Sequence, residues 1–162
     1  MNKKLLISLI AGIGLFFDQI IKLLVITKMS FYESIEIIKN FFSITLAKNT
    51  GGAFSIFSNS TCFLVLVTIV FAFVLIKFIN KEEKLTTFKS LTYAFIIAGM
   101  LGNFFDRVVR GYVIDYLHFN IFGYDFPIFN LADILIVVGV GLMILEMIGS
   151  EYNEYISRRR KN

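Results

Sequence analysis

Long apolar blocks alternate with polar connections along this chain. Four blocks are candidate membrane spans, at about residues 5–26, 62–79, 88–106 and 131–149. A helix that crosses a bilayer needs about 20 mostly apolar residues, with about 17 to 25 tolerated. The pattern therefore predicts an all-α membrane protein with four transmembrane helices, in which residues 1–162 form a single integral membrane domain.

Two polar connections on one side of the membrane predict smaller elements. Residues 42–46 alternate apolar and polar side chains, which predicts a short strand, and Asn49-Thr50-Gly51-Gly52 predicts a turn. Residues 53–57 can supply a second strand, so a small extracytoplasmic β-sheet is expected. The second connection, residues 107–130, is rich in Tyr and Phe. It is expected to form a short interfacial helix or flap over a site, or simply an aromatic anchor at the interface.

Composition and charge support a membrane protein and predict its orientation. The chain has 162 residues, of which 57% are hydrophobic, with a net charge of +4 and one cysteine. Lys and Arg concentrate before the first span, between the second and third, and after the fourth, which predicts that both termini are cytoplasmic. The basic tail favours contact with anionic lipid, so no nucleic-acid partner is expected. Because Cys62 is the only cysteine, an intramolecular disulfide is impossible, and Cys62 is expected to be a buried, inert thiol.

Two aspartates stand out because each lies beside a predicted span. Asp115 lies in the second connection, and Asp133 lies near the start of the fourth span. Ionised carboxylates near a bilayer are costly and usually functional. Two close carboxylates that share one proton can supply both the base and the acid that peptide hydrolysis needs. We therefore expect Asp115 and Asp133 to form a water-activating pair.

Other polar residues are predicted at the same membrane face. Asp18 and Lys22 are spaced i, i+4 in the first span and can pair on one helix face. The third span carries a stripe at i, i+3, i+4, i+7 formed by Gly99, Gly102, Asn103 and Asp106. Its glycines favour close helix packing, and the neighbouring Arg107 is expected to orient a carboxylate by bidentate hydrogen bonding.

Two other classes of protein stay open. A small proton- or ion-coupled transporter subunit could use Asp18, Lys22, Asp106 and Asp133 as a relay, although a relay should cross the bilayer and these groups cluster at one face. A structural scaffold for partner helices would not require two carboxylates beside asparagines. His118 is the one histidine, and a metal site normally needs several such ligands. It is expected to be structural or exposed, with no metal or cofactor.

Five motifs in register resemble those of one known family. They are Asp18-x-x-x-Lys22, Asn49-Thr-Gly-Gly-Ala-Phe54, Gly99-x-x-Gly-Asn103-x-x-Asp-Arg107, Val113-Ile-Asp-Tyr116 and Phe129-Asn-x-Ala-Asp133. In order and spacing they resemble the bacterial lipoprotein signal peptidases (signal peptidase II), over nearly the whole chain. Any one of these motifs alone would be a weak signal.

The resemblance implies a four-helix aspartic protease of the bacterial cytoplasmic membrane, with Asp115 and Asp133 as the catalytic pair near the outer face. Such enzymes cut the signal peptide from prolipoproteins just before a diacylglyceryl-modified cysteine. The implied partners are lipidated prolipoproteins, membrane lipid and cyclic peptide antibiotics that occupy the substrate site; a monomer is expected. Positions that match site-supporting or substrate-binding residues of the family are Asp18, Lys22, Asn49, Gly51, Gly99, Asn103, Asp106, Arg107, Asn130 and Ala132.

Three positions depart from the usual family pattern. The turn reads Gly51-Gly52-Ala53 where a second alanine is common, and Tyr116 stands where Phe is frequent. Ile134 follows Asp133 where a small hydroxyl residue is often found, which removes a possible hydrogen-bonding neighbour of that carboxylate. None of the three removes an expected catalytic group.

Overall fold

Four long helices and a small antiparallel sheet make up the computed structural model, which describes residues 2–52 and 60–159. The helices are α1 (Lys3–Lys28), α2 (Thr61–Lys81), α3 (Thr87–Arg110) and α4 (Leu131–Arg159). The strands are β1 (Ser34–Ile38), β2 (Phe42–Asn49), β3 (Val113–Ile121) and β4 (Tyr124–Asp125). Within the described residues, all four helices are long and apolar enough to cross a membrane. The four predicted apolar helices and the small sheet are confirmed.

The helices run past the predicted spans, most clearly at the ends of α3 and α4. Helix α3 continues to Arg110, where Gly111 ends it with a φ of 80°. Helix α4 continues to Arg159 rather than ending near residue 149. Hydropathy marks only the part of a helix that lipid covers, whereas the backbone hydrogen bonds that continue a helix are local and indifferent to polar side chains. The helices therefore extend beyond the predicted spans, whose own limits in the bilayer stay a prediction.

Helix α3 is the central helix and packs against the other three. A Cβ added at Gly99 would lie 2.2 Å from the Ala132 carbonyl oxygen, and one at Gly102 would lie 2.5 Å from Asp18 Oδ2. Only glycine permits this approach, so the small-residue stripe brings α1 and the start of α4 against the backbone of α3. Away from α3, the helices expose Leu, Ile, Val and Phe, as lipid contact requires. Cys62 is also exposed, so the prediction of a buried thiol is wrong.

The sheet has the strand order β1-β2-β3-β4, with each neighbouring pair antiparallel. Strand β2 contains the predicted strand at residues 42–46 and continues to Asn49. Its partner in the first connection is β1, which the alternation pattern did not predict; the second strand predicted at residues 53–57 lies outside the described residues. The second connection forms β3 and β4, joined by Phe122 and Gly123 with φ values of 52° and 85°. Two such left-handed residues are typical of a tight hairpin.

The expectation of an interfacial helix or flap has a mixed outcome. Within the described residues, the second connection contains no helix between the end of α3 at Arg110 and the start of α4 at Leu131. Aromatic side chains of the second connection instead stack within the sheet, with ring centroids 4.6 Å apart for Phe42 and Phe119 and 5.8 Å apart for Phe119 and Phe129. The flap stays a prediction.

Candidate active site

Asp115 is presented by β3 and is almost fully buried. In the β2–β3 register, Ala47 is opposite Asp115 and Asn49 is opposite Val113, so Asn49 and Asp115 are diagonal neighbours on one face of the sheet. Asn49 Nδ2 donates to Asp115 Oδ2 at 2.8 Å, and Asn130 Nδ2 donates to Asp115 Oδ1 at 2.6 Å. Each oxygen of the carboxyl group therefore has an amide donor.

The environment of Asp115 raises its pKa from the ordinary value of 3.8 to about 7. Burial is the main cause, because it disfavours the charged form, and the negative charge of Asp133 adds to it. The hydrogen bonds from Asn49 and Asn130 act in the opposite direction. A carboxyl group that titrates near neutral pH can both take up and release a proton under physiological conditions.

Asp133 is the third residue of α4 and is half-buried, so it remains accessible. Asn103 Nδ2 donates to Asp133 Oδ1 at 2.7 Å. The backbone N–H of Asn130 donates to Asp133 Oδ2 at 3.1 Å, and the N–H of Asp133 donates back to Asn130 Oδ1 at 3.0 Å. This reciprocal pair is a capping box. The sequence Asn-x-x-Asp thus starts the helix and fixes the carboxylate at the same time.

Asn130 links the two aspartates. It is fully buried, and its amide contacts both the carboxyl group of Asp115 and the backbone of Asp133. Its Nδ2 also lies 3.2 Å from Asn103 Oδ1, and Asn103 in turn holds Asp133. The two carboxyl groups, carried by β3 and α4, therefore belong to one hydrogen-bonded unit, and its amide donors among the described residues come from Asn49, Asn103 and Asn130.

Gly51, in the loop after β2, and Arg107, in the last turn of α3, lie beside this unit. Gly51 N–H donates to Asn49 Oδ1 at 2.9 Å, which forms the predicted turn and orients the Asn49 amide toward Asp115. Arg107 Nη2 donates to the Gly51 carbonyl at 2.9 Å, and its Nη1 donates to the Asn103 carbonyl at 3.4 Å. Within the described residues, the buried Nε of Arg107 has no partner. The predicted bidentate pairing with a carboxylate is therefore replaced by two contacts to backbone carbonyls.

The remaining predicted site residues lie around and beneath the two aspartates. Lys22 Nζ pairs with Asp18 Oδ2 at 2.8 Å and with Asp106 Oδ2 at 2.9 Å. Gly99 and Ala132 form the close contact between α3 and the start of α4. The structure thus brings all twelve predicted residues to the end of the bundle that carries the sheet.

Three further residues belong to this region and were not predicted as site residues. Gln19 and Arg110 contact Asp106. In the sequence, Gln19 directly follows Asp18, and Arg110 stands four residues after Asp106 and so shares its helix face. These two spacings were the signals that could have identified them. Tyr116 Oη accepts the backbone N–H of Leu131, the first residue of α4, at 3.2 Å. In the sequence it was visible only as a departure from a more usual Phe.

His118 lies apart from this site in the sheet, where its ring nitrogens contact Thr45 Oγ1 at 3.2 Å and Asp125 Oδ1 at 2.8 Å. Within the described residues, no group of three His, Cys, Asp or Glu side chains is placed to hold a metal ion.

The fold and the site define a polytopic membrane protein with two carboxyl groups that are joined through one asparagine at one end of its helices. The family described as signal peptidase (SPase) II matches residues 10–149. A lipoprotein signal peptidase of Staphylococcus haemolyticus is 43% identical over 151 residues, covering 91% of this chain and 96% of the relative. One from Staphylococcus aureus strain MRSA252 is 39% identical over 157 residues, covering 95% and 96%. The chain belongs to the signal peptidase II family and is a membrane peptidase.

Two solved structures support the same assignment. One, described as a bacterial membrane enzyme at 2.3 Å resolution, has a TM-score of 0.85 and 39% identity over 91% of this chain and 90% of its own. The other, described as a bacterial membrane enzyme at 1.9 Å, has a TM-score of 0.79 and 40% identity, covering 87% and 91%. The four helices and the sheet therefore have the arrangement of a known membrane enzyme.

Proposed function

We propose that this chain is a membrane aspartic endopeptidase that removes the signal peptide from diacylglyceryl-modified prolipoproteins, cleaving before the lipidated cysteine. The observation that carries the proposal is the hydrogen-bonded unit of Asp115 and Asp133, joined through Asn130. Membership of the signal peptidase II family, and relatives named lipoprotein signal peptidase, support prolipoproteins as the substrate class.

The chemistry requires one proton shared by two carboxyl groups. Burial and the charge of Asp133 favour the protonated form of Asp115, and like charges at short distance do not both ionise easily. The ionised partner takes a proton from water as the water oxygen bonds to the scissile carbonyl carbon. The protonated partner gives its proton to the carbonyl oxygen. When the tetrahedral intermediate collapses, the carbon–nitrogen bond breaks and the departing nitrogen takes the proton that the first carboxyl group had received from water. One hydroxyl proton of the intermediate returns to the second carboxylate, which leaves a carboxylic acid and an amine and restores the starting state of the pair.

The two aspartates have complementary environments for this reaction. Asp115 is buried and its carboxyl group is held by two amide hydrogen bonds, so it is the group that carries the shared proton. Asp133 is half-buried at the start of α4, so it is the more accessible group for water. Since the protons of a coupled pair titrate in macroscopic steps, the pH profile belongs to the pair.

The proposed orientation places the sheet end of the bundle at the outer face of the bacterial cytoplasmic membrane, with both termini cytoplasmic. The distribution of Lys and Arg supports it. A diacylglyceryl group keeps the substrate partly in lipid, so the peptide would enter sideways from the membrane. The aromatic second connection would cover it, and cyclic peptide antibiotics would compete for the same space. The enzyme would act as a monomer without a cofactor or nucleic acid.

The test is cleavage of a purified, diacylglyceryl-modified prolipoprotein by the detergent-solubilised protein. The unmodified precursor and the isosteric variants Asp115→Asn and Asp133→Asn serve as controls. We expect release of signal peptide from the lipidated substrate only, with a loss of at least about 100-fold in either variant, since each removes general acid–base catalysis. Substantial activity in either folded variant would exclude the pair as the catalytic groups. Equal cleavage of the unmodified precursor would exclude the requirement for lipid.

A further inference from the structure

A buried cluster of charges lies directly beneath the two aspartates. Asp18, Lys22 and Asp106 have no exposed side-chain surface, and Lys22 Nζ lies 2.8 Å from Asp18 Oδ2 and 2.9 Å from Asp106 Oδ2. The third contact of the ammonium group is Asn103 Oδ1 at 3.3 Å. That contact orients the Asn103 amide so that its Nδ2 faces Asp133. Burying charges is costly unless each is paired and hydrogen-bonded, so the arrangement calls for a physical reason.

Each carboxylate of the cluster holds the backbone beside one of the catalytic aspartates. Asp18 Oδ1 accepts the N–H of Ala132 at 3.0 Å, one residue before Asp133. Asp106 Oδ2 accepts the N–H of Ile114 at 3.1 Å, one residue before Asp115. The chain segments that carry the two aspartates, on α4 and β3, are therefore attached to one charge cluster on α1 and α3. A shift of either cluster carboxylate would move the corresponding catalytic group.

Gln19 and Arg110 complete this cluster. Gln19 Nε2 lies 3.1 Å from Asp18 Oδ2 and 3.2 Å from Asp106 Oδ1, and therefore joins the two carboxylates. Arg110 forms an ion pair with Asp106 Oδ1, and its Nη1 donates to Gln19 Oε1 at 3.0 Å. With Arg110, two negative charges face two positive ones. Without it, one carboxylate in this buried cluster would lack a counter-charge.

We propose that Gln19 and Arg110 are positioning residues for the catalytic pair, an inference that rests on the proposed function. Within the described contacts, neither side chain touches Asp115 or Asp133. Arg110 holds Asp106 through Oδ1, which leaves Asp106 Oδ2 on the Ile114 N–H. Gln19 bonds to both Asp18 and Asp106 and fixes the distance between their carboxylates. The β3 and α4 segments that these carboxylates hold therefore stay in fixed relative positions. A displacement of about 1 Å in a catalytic group can cost about 100-fold in rate.

The test compares Gln19→Leu, Arg110→Leu and Arg110→Lys by steady-state kinetics on the lipidated substrate, per folded molecule. Thr27→Val is the matched control for Gln19, because the side chain of Thr27 on the same helix bonds, among the described residues, only to its own turn, at the Leu23 and Leu24 carbonyls. Lys28→Leu removes one exposed cation near the same end of the bundle and is the control for Arg110.

We expect kcat to fall about 10- to 100-fold in Gln19→Leu and Arg110→Leu, with KM nearly unchanged, because these residues act on geometry and do not bind substrate. Arg110→Lys keeps the counter-charge and should recover part of the lost kcat. The two control variants should match the wild type. A kcat within about threefold of wild type in both leucine variants would overturn the proposal. So would a loss expressed mainly in KM, or no recovery in Arg110→Lys.

A second measurement tests the attachment itself without using activity. Amide hydrogen exchange at Ile114 and Ala132 should accelerate in Gln19→Leu and Arg110→Leu, relative to Thr27→Val and Lys28→Leu. Unchanged exchange at both amides would overturn the proposal. If the wild type exchanges as expected but cleaves no lipidated substrate, the proposed function fails while the attachment of the two segments stands. The two failures are therefore distinguishable.

Discussion

The variant Asp115→Asn has an expected effect on stability that is as informative as its effect on activity. Asp115 is buried, and burial together with the charge of Asp133 raises its pKa to about 7 from an ordinary value of 3.8. The substitution preserves the shape of the side chain but removes the titrating group. We expect it to abolish cleavage while its stability, relative to wild type, rises with pH.

The sign follows from proton binding in the two states. Between pH 3.8 and about 7, the folded protein holds a proton that the unfolded chain has released. Ionising Asp115 in the folded state therefore lowers the free energy of unfolding. This loss is absent below the unfolded-state pKa of 3.8 and complete above the folded-state pKa of about 7. The difference in pKa corresponds to about 4 kcal/mol. Between about pH 5 and about pH 8.5, the free energy of unfolding of the wild type should fall by about 3 kcal/mol, and that of Asp115→Asn should not show this fall.

The loss of hydrogen bonds made by the Asp115 carboxyl group offsets part of the stability that Asp115→Asn gains relative to the wild type. Asn49 Nδ2 and Asn130 Nδ2 both donate to the carboxyl oxygens, and the NH₂ group of an asparagine at 115 would face one of these donors. A mismatched buried pair costs about 1 to 3 kcal/mol. At about pH 5 the gain and the cost should roughly cancel, and at about pH 8.5 the variant should be more stable by about 2 kcal/mol.

The assay is thermal unfolding in one detergent across this pH range, with cleavage measured on the same samples. Glu36→Gln, which changes an exposed carboxylate on β1, is the control, and its Tm difference from wild type should not rise with pH. A Tm difference for Asp115→Asn that stays constant from acid to alkaline pH would refute the reasoning, because the carboxyl group would then not titrate near neutrality.

Three further predictions concern packing and capping around the site. Tyr116→Phe removes the acceptor of the Leu131 N–H and should lower stability by about 1 kcal/mol, with kcat reduced by less than about tenfold; an unchanged Tm would show that the hydroxyl group is not needed there. Gly102→Ala places a methyl group 2.5 Å from a carboxylate oxygen of α1 and should destabilise by about 1 to 3 kcal/mol, whereas Gly141→Ala, with nothing within 4 Å, should not; equal Tm values for the two would contradict the close packing. Asn130→Ala removes the α4 cap and a donor to Asp115, and should lower stability by about 2 kcal/mol and kcat by at least about tenfold; full activity would contradict its linking role.

The four helices were predictable from sequence because a bilayer selects long apolar blocks whatever their partners. Strand β2 was predictable from its alternation of apolar and polar side chains. Strand β1 was not, because all five of its side chains are exposed and no pattern marks a buried face. The Asp18–Lys22 ion pair follows from helical spacing alone, since residues four apart share a face.

What the sequence determined by itself is the set of groups: four spans, five polar motifs and two aspartates near one end of the helices. The tertiary structure decided which atoms meet. It joins Asp115 and Asp133 through Asn130, directs Arg107 to backbone carbonyls, and brings Gln19 and Arg110 into contact with the cluster of Asp18, Lys22 and Asp106. Spacing along one helix is fixed by local geometry, but contacts between helices and strands depend on how the close approach at the glycines orients separate elements. Sequence patterns carry the first kind of information and not the second.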